Sequence, residues 1–373
     1  MKFAKDKLIK TTIFISLMLC VLLSIFWQAK LGELFKFRPN IDYDAPSVHF
    51  LYASKGDCIL IRTSSGENII IDSADPSAKS DVMTYIDNVF FYNKPKVFDY
   101  AILTHTDDDH VGNFYEIVNK YNIKHFYRPN IYVANMELAD NDTYCNSYTY
   151  RLLITALNSK NIDTHFHTEL PYISFTHGYM QWCTPTVNKY YNNKKNNYSS
   201  INDYSPIIIY KDMNTSFFFS GDASVNVEEE FISNNIEYDG CIDVLKMGHH
   251  GSATGTSSEL LEKLKPSYLI STNGDNLYNF PAVDVVDRVV EYDKANNTTL
   301  LDNLIQTNVV GNIIVYNRAK PQFQYIKSTS GYLYVEYYVV AIIFVGSACI
   351  IYFVPFDKIS HAIRKKFFAK NIH

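Results

Sequence analysis

Residues Ala101–Asn113 read AILTHTDDDHVGN. The first three are apolar and close a short strand, Tyr100 to Thr104. Two imidazoles and three carboxylates then fall within six positions, His105 to His110. Such a turn can aim several of these side chains at one point. Imidazole and carboxylate suit zinc and harder divalent ions alike. An acidic surface loop that happens to hold two histidines is the bland alternative. One turn cannot supply the six to eight donors that two adjacent ions need, so further donors must come from later strand ends. Two candidates follow apolar strands: Asp222 in FFFSGDAS, and His249 with His250 in DVLKMGHHGS. Three such clusters at strand ends favour a metal centre over the surface loop.

Outward from this turn the chain alternates strands and helices. Ser47 to Ala53, Cys58 to Thr63 and Asn68 to Asp72 form a predicted antiparallel meander, punctuated by Gly56 and by Ser64-Ser65-Gly66. Ser77 to Phe91 and Val111 to Tyr121 read as helices. Later predicted strands are Pro206 to Tyr210, Ser216 to Phe219, Asp243 to Met247 and Tyr268 to Ser271. Val227 to Ile232, Ser257 to Leu264 and Ala282 to Ala295 are predicted helices. Leu304 to Gln306, Asn312 to Tyr316 and Gln322 to Ile326 close the pattern. Meanders mixed with β-α units suggest two packed sheets with helices outside. Asn188 to Asp203 (NKYYNNKKNNYSSIND) lacks periodicity and reads as a mobile loop. Its Lys189, Lys194 and Lys195 interleave with Tyr190, Tyr191 and Tyr198. That suits base stacking and phosphate attraction, and equally an ordinary surface loop.

The chain has 373 residues, 47% of them hydrophobic and 20% charged, which excludes a disordered protein. The net charge of -5 gives no global attraction to nucleic acid. The six cysteines contain no C-x-x-C pair, which argues against a zinc knuckle or a dense disulfide framework. Cys58, Cys145, Cys183 and Cys241 are expected to be buried free thiols.

Two uncharged stretches bracket the chain, Thr11 to Trp27 and Tyr337 to Phe356. Each approaches the roughly 20 apolar residues that cross a bilayer. The first has no small-x-small cleavage site after it, so an uncleaved anchor is preferred to a signal peptide. Lys358, Arg364, Lys365, Lys366 and Lys370 place the C-terminus in the cytoplasm. The expected organisation is a cytoplasmic segment 1–7, a span 8–28, a linker 29–45, a domain 46–327, a span 333–356 and a basic cytoplasmic tail 357–373. The domain is then extracytoplasmic on the cell membrane, with the lipid bilayer as a partner.

HTDDDH resembles the HxHxDH signature of the metallo-β-lactamase fold, with Asp107 at the second His position. The middle of the chain, residues 46 to 327, resembles the extracellular hydrolase domain of ComEC-type DNA-uptake proteins, whose subgroup carries Asp there. The segments that carry this are HFLYASKGDCILIRTSSGENIIIDSAD with Gly56, Asp57 and Asp72, then AILTHTDDDHVGN, SGDAS, DVLKMGHHGSATGTSSELLEKLKPSYLIST and NLIQTNVVGNIIVY.

The resemblance implies an α/β fold, a four-layer αββα sandwich, here flanked by two transmembrane helices. It implies two divalent ions, Zn or Mn. His105 and Asp107 would hold one, Asp109 and His110 the other, with Asp222 bridging. His249 or His250 would complete the site or meet substrate. In the expected scheme His249 ligates, Asp109 orients the nucleophile and His250 delivers a proton. Lys246 and Ser252 would bind phosphate. Asn202 and Ser205 resemble the polar pair before the next strand and are expected to face substrate.

One departure is plain. The family's Tyr-Gly-His-Pro segment is Tyr278-Asn279-Phe280-Pro281 here, and Phe280 cannot ligate. The ComEC channel portion is also absent from this sequence. The expected activity is metal-dependent phosphoester hydrolysis, with single- or double-stranded DNA as the candidate substrate. The rival readings are hydrolysis of another ester (a lactone or an envelope phosphoester) and a degenerate, non-catalytic binding module. Protein partners are not indicated.

Overall fold

The structure is a computed structural model that divides into two units. In the first, Met1–Asn40 with Tyr332–His373, it describes residues 10–16, 18, 36–37, 40 and 333–334. In the second, Ile41–Gly331, it describes residues 41–327 except 55, 134–135, 138–144, 146, 170–171, 185–189, 192–196, 199, 235–237, 239 and 275–278.

The second unit opens with the strands β1 (Ser47–Phe50), β2 (Ile59–Arg62) and β3 (Asn68–Ile71). Helix α1 (Lys79–Tyr85) leads to β4 (Val97–Ile102), then to the short α2 (Asp108–Val111) and α3 (Phe114–Lys120). Next come β5 (Asn122–Arg128), α4 (Tyr148–Lys160), β6 (Asp163–Phe166), β7 (Tyr172–Phe175) and β8 (Gly178–Trp182). A second run holds β9 (Ile208–Asp212), β10 (Thr215–Phe219), α5 (Val225–Ser233), β11 (Val244–Lys246), α6 (Ser258–Leu264), β12 (Tyr268–Ser271) and α7 (Val283–Asn296). The unit closes with β13 (Leu304–Gln306), α8 (Thr307–Val310), β14 (Asn312–Tyr316) and β15 (Gln322–Ile326).

Eight strands form one sheet in the order β15-β14-β1-β2-β3-β4-β5-β6, and seven form the other in the order β13-β12-β11-β10-β9-β8-β7. The inner strands are apolar on both faces, and their period of two splits each between two cores. In β2, Ile59 and Ile61 face the other sheet while Leu60 faces helices. In β10, Phe217 and Phe219 point inward and Phe218 outward onto Phe231 of α5. The outer core joins strand residues such as Ile70, Ala101 and Phe126 to Val82, Phe114 and Leu153 of the helices. The result is the expected αββα layering, an α/β metallo-β-lactamase fold.

Strands β3 to β6 are parallel, and so are β10 to β13. Their carboxyl ends are where open α/β sheets place ligands. Helix α4 and strands β5 to β8 fall in a stretch, 122–182, that the sequence reading left without elements. Ser147 caps α4 by accepting a hydrogen bond from the Tyr150 amide, and Asn161 ends it in the left-handed region. Among the described cysteines all four are free; Cys58 and Cys183 are buried, but Cys145 is half-buried and Cys241 exposed.

The flanking transmembrane helices are not part of the fold shown. Among the described residues no helix is long and apolar enough to cross a membrane. At the start of the second expected span, Leu333–Tyr334 is a strand, paired antiparallel with Lys36–Phe37. An uncharged run satisfies the length condition for a span and nothing more, which is why the sequence suggested one. The rest of both stretches, and the tail 357–373, lie outside the described residues. So do Lys189, Lys194 and Lys195 of the 188–203 insert.

Candidate metal centre

Strand β4 ends at Ile102, and Asp107 stands at the N-cap of α2. The turn between them throws His105 and His110 inward, where both are fully buried, and leaves Asp107 half-exposed. Their rings lie 4.1 Å apart. Gly56 from the β1–β2 connection touches this turn. A Cβ there would sit 1.6 Å from the Asp109 carbonyl oxygen, at a φ of +75° that favours glycine anyway. From the other sheet, β10 ends in Ser220-Gly221-Asp222, and Gly221 (φ +50°) lets the chain turn against Ser205 and Thr104. Strand β11 ends in a turn where His249 and His250 both adopt left-handed backbone (φ +47° and +58°). Consecutive strained residues of this kind cluster at functional sites.

Each inner histidine is tied at one nitrogen and open at the other. His110 Nδ1 lies 2.8 Å from Asp72 Oδ2. His105 Nδ1 lies 3.0 Å from Thr104 Oγ1 and 3.2 Å from Ser205 Oγ. Thr104 spends its hydroxyl proton on Asp72, so it accepts from His105 Nδ1–H, which leaves the lone pair on Nε2. His250 Nδ1 faces Asp57 Oδ1 at 3.4 Å. The three Nε2 atoms of His105, His110 and His250 are buried and have no hydrogen-bond partner, and neither has Asp222 Oδ1. Asp222 lies 3.3 Å from both His110 Nε2 and His250 Nε2, through its two different oxygens. Donor atoms of His105, His110 and Asp222 lie within 4.8 Å of one another, and so do those of Asp109, His110 and His250.

Orphaned buried polar atoms are costly, and four aimed at one spot call for a cation. The donor set, imidazole and carboxylate, fits a divalent ion. The electrostatics agree. Burial by itself would lower the His250 pKa, but Asp222 and Asp57 outweigh it and push it up to about 9. Burial is likewise overcome at His110, which Asp222 and Asp72 hold well above its usual value. Burial opposes the ionisation of Asp222, yet His250 and His110 keep its carboxyl well below the usual range. The His105 hydrogen bond lowers Asp107.

The expected site residues do not all stand where the resemblance put them. His250 points its Nε2 at Asp109 Oδ2 (3.8 Å) and Asp222 Oδ2 (3.3 Å), and His249 Nε2 lies 3.5 Å from the same Asp222 oxygen. His249 sits at the rim, burial lowering its pKa, with Nδ1 2.9 Å from Thr254 Oγ1 and its ring 6.3 Å from Phe280. Lys246 is wholly buried, paired with Asp57 at 2.5 Å, donating to the Gly221 carbonyl at 2.9 Å and 3.9 Å from Asp222 Oδ1, so its ammonium is already engaged by protein groups. Ser205 is buried too; it accepts from the Asp222 amide and steadies His105 rather than facing substrate. Asn202 lies in a 3₁₀ turn, its amide donating to Ser200 Oγ. Ser252 is half-buried at the rim and accepts from Thr254. Asp57, Asp72, Thr104 and Thr272, which orient the donors, were missed as site residues. The signal available was a buried carboxylate directly after an apolar strand, as at Asp72.

The family described as the metallo-beta-lactamase superfamily matches residues 51–169, a stretch that holds Asp57, Asp72 and the whole acidic turn. The chain carries a metallo-β-lactamase domain. Recombination protein 2 of Haemophilus influenzae is 26% identical over 229 residues, 61% of this chain and 24% of that protein. ComE operon protein 3 of Bacillus subtilis is 24% identical over 229 residues, 59% of this chain and 26% of that protein. Both are ComEC-type competence proteins, and the chain spans about a quarter of their length. CmlA, a diiron beta-hydroxylase from Streptomyces venezuelae, has a TM-score of 0.44 at 13% identity, over 73% of this chain and 54% of that one. Residues 51–169 thus match the metallo-beta-lactamase superfamily, and the chain has ComEC-type homologues. Members of the superfamily bind divalent metals, usually two, and the donors converging here suit that.

Proposed function

We propose that this domain hydrolyses phosphodiesters, with DNA as the substrate class and Zn or Mn as the ions. The carrying observation is the set of three buried imidazoles, each tied at Nδ1 and open at Nε2 toward Asp222. His105 and Asp107 would hold one ion, Asp109, His110 and His250 the other, with Asp222 between them. Such ions supply an acidified water and offset charge on a phosphoryl group. Asp109, a third exposed, orients the attacking water and takes up its proton. His249, beside Thr254 and with Nε2 3.5 Å from Asp222, would complete the site or meet the substrate. Lys246 acts through Asp57: it fixes the carboxylate that orients His250.

DNA as substrate is supported by the ComEC-type relatives and by nothing finer in the site. The rival binding-module reading drew its strength from Phe280. It weakens because the donors of Asp109, His110 and His250 converge without a ligand at position 280. The test is Asp109→Ala in the purified full-length protein, assayed on a model phosphodiester, a lactone and DNA with Mn or Zn added. Loss of phosphodiester and DNA cleavage with an unchanged circular dichroism spectrum is expected. Unchanged turnover, or activity on the lactone alone, would end the proposal.

A further inference from the structure

A second set of metal-type donors lies on the far part of the first sheet. Strands β5 and β6 are parallel neighbours, with His125 opposite Asp163 and Tyr127 opposite His165. The period of two puts Asp163 and His165 on one face of β6, and His125 joins them from β5. His125 Nδ1 lies 2.7 Å and His165 Nε2 2.9 Å from the same oxygen, Asp163 Oδ2. Donor atoms of all three lie within 4.8 Å of one another. The side chains are 40%, 53% and 33% exposed for His125, Asp163 and His165. Tyr100 stacks on His125 and Tyr127 on His165, so both rings are held at defined angles from below. Glu169 Oε2 lies 3.8 Å from the other nitrogen of His165 and accepts from the Phe166 amide.

We infer that His125, Asp163 and His165 form a second, open site for a divalent transition metal, separate from the hydrolytic centre. Two imidazoles and one carboxylate on adjacent strands are a tridentate face that suits zinc, nickel or copper, whereas Mg and Ca prefer oxygen donors alone. Bonds of about 2.0–2.2 Å in a tetrahedral shell set donors about 3.3 Å apart. The present spacings are somewhat shorter, and exposed side chains on fixed strands can open by that much. Without an ion, the contacts are exposed histidine–carboxylate pairs, which contribute little order by themselves. Three protein donors leave the remaining position to water or to a group on another molecule.

The test uses the full-length protein in two ways. Equilibrium dialysis against Zn(II), with metal analysis, compares the wild type with His125→Asn/His165→Asn and with Asp163→Asn. Each variant is expected to hold about one ion per chain fewer, with phosphodiester hydrolysis unchanged. Separately, acylation of the wild-type histidines by diethyl pyrocarbonate is mapped by mass spectrometry with and without Zn(II). His125 and His165 are expected to be protected several-fold. Equal ion content in all three proteins, or equal acylation of the wild type with and without Zn(II), would overturn the site.

Discussion

The two histidine–aspartate clusters of this domain contain the same chemical groups and differ in surroundings. At the sheet rim, His105, His110 and His250 are buried, each held by a neighbour, with unpartnered Nε2 atoms. On β5 and β6, His125 and His165 share one exposed carboxylate oxygen. Burial makes the first cluster expensive to leave incomplete, so Asp57, Asp72 and Thr104 are arranged to pre-aim it. Exposure lets the second relax into water at little cost. A metal-type residue set therefore says less than the environment that decides what its lone pairs face.

The largest expected effect breaks the rim centre outright. His110→Ala should lower hydrolysis by about three orders of magnitude or more, because it removes one member of a group that acts as a unit. The same change should leave Zn(II) protection of His125 and His165 intact. Lys246→Met tests whether the buried cation is structural: leaving Asp57 unpaired should cost about 3–5 kcal/mol, read from urea unfolding. Activity lost with full stability would instead return Lys246 to the substrate. Asp72→Asn keeps the shape but removes the charge behind His110 and Thr104, and should weaken metal affinity by about 10–100-fold in a competition titration.

Smaller is the pH effect. In the metal-free protein His250 has its pKa raised to about 9, above the ordinary 6.5. The stability this contributes is full below about pH 6.5 and is lost as pH rises through about 9. A chelated sample should thus show a falling urea midpoint over that window, whereas the metal-loaded sample should not, since a cation replaces the proton. Parallel curves would mean that no ion meets His250. The smallest effect belongs to the exposed cluster. His165→Asn should change unfolding free energy by less than about 0.5 kcal/mol, as surface substitutions usually do.

Much of this arrangement was legible in the chain itself. An apolar strand running into HTDDDH, SGD after a second strand and GHHGS after a third marked a metal centre, because donors collect where parallel strands end. The meander from Ser47 to Asp72 and the closing strands follow from alternation and turn residues alone.

Tertiary structure decided the rest. That His249 and His250 both reach Asp222 Oδ2, while only His250 also faces Asp109, depends on backbone angles that pattern does not carry. That Lys246 pairs with Asp57, across 189 positions of chain, and Ser205 with His105 across 100, depends on how two sheets stack. His125 and Asp163 stand 38 positions apart in a stretch whose elements carried no clear pattern, so their meeting was invisible until β5 and β6 paired. Local signals are short-ranged, whereas a site is a coincidence of distant segments, and distance along the chain carries no information about where side chains converge.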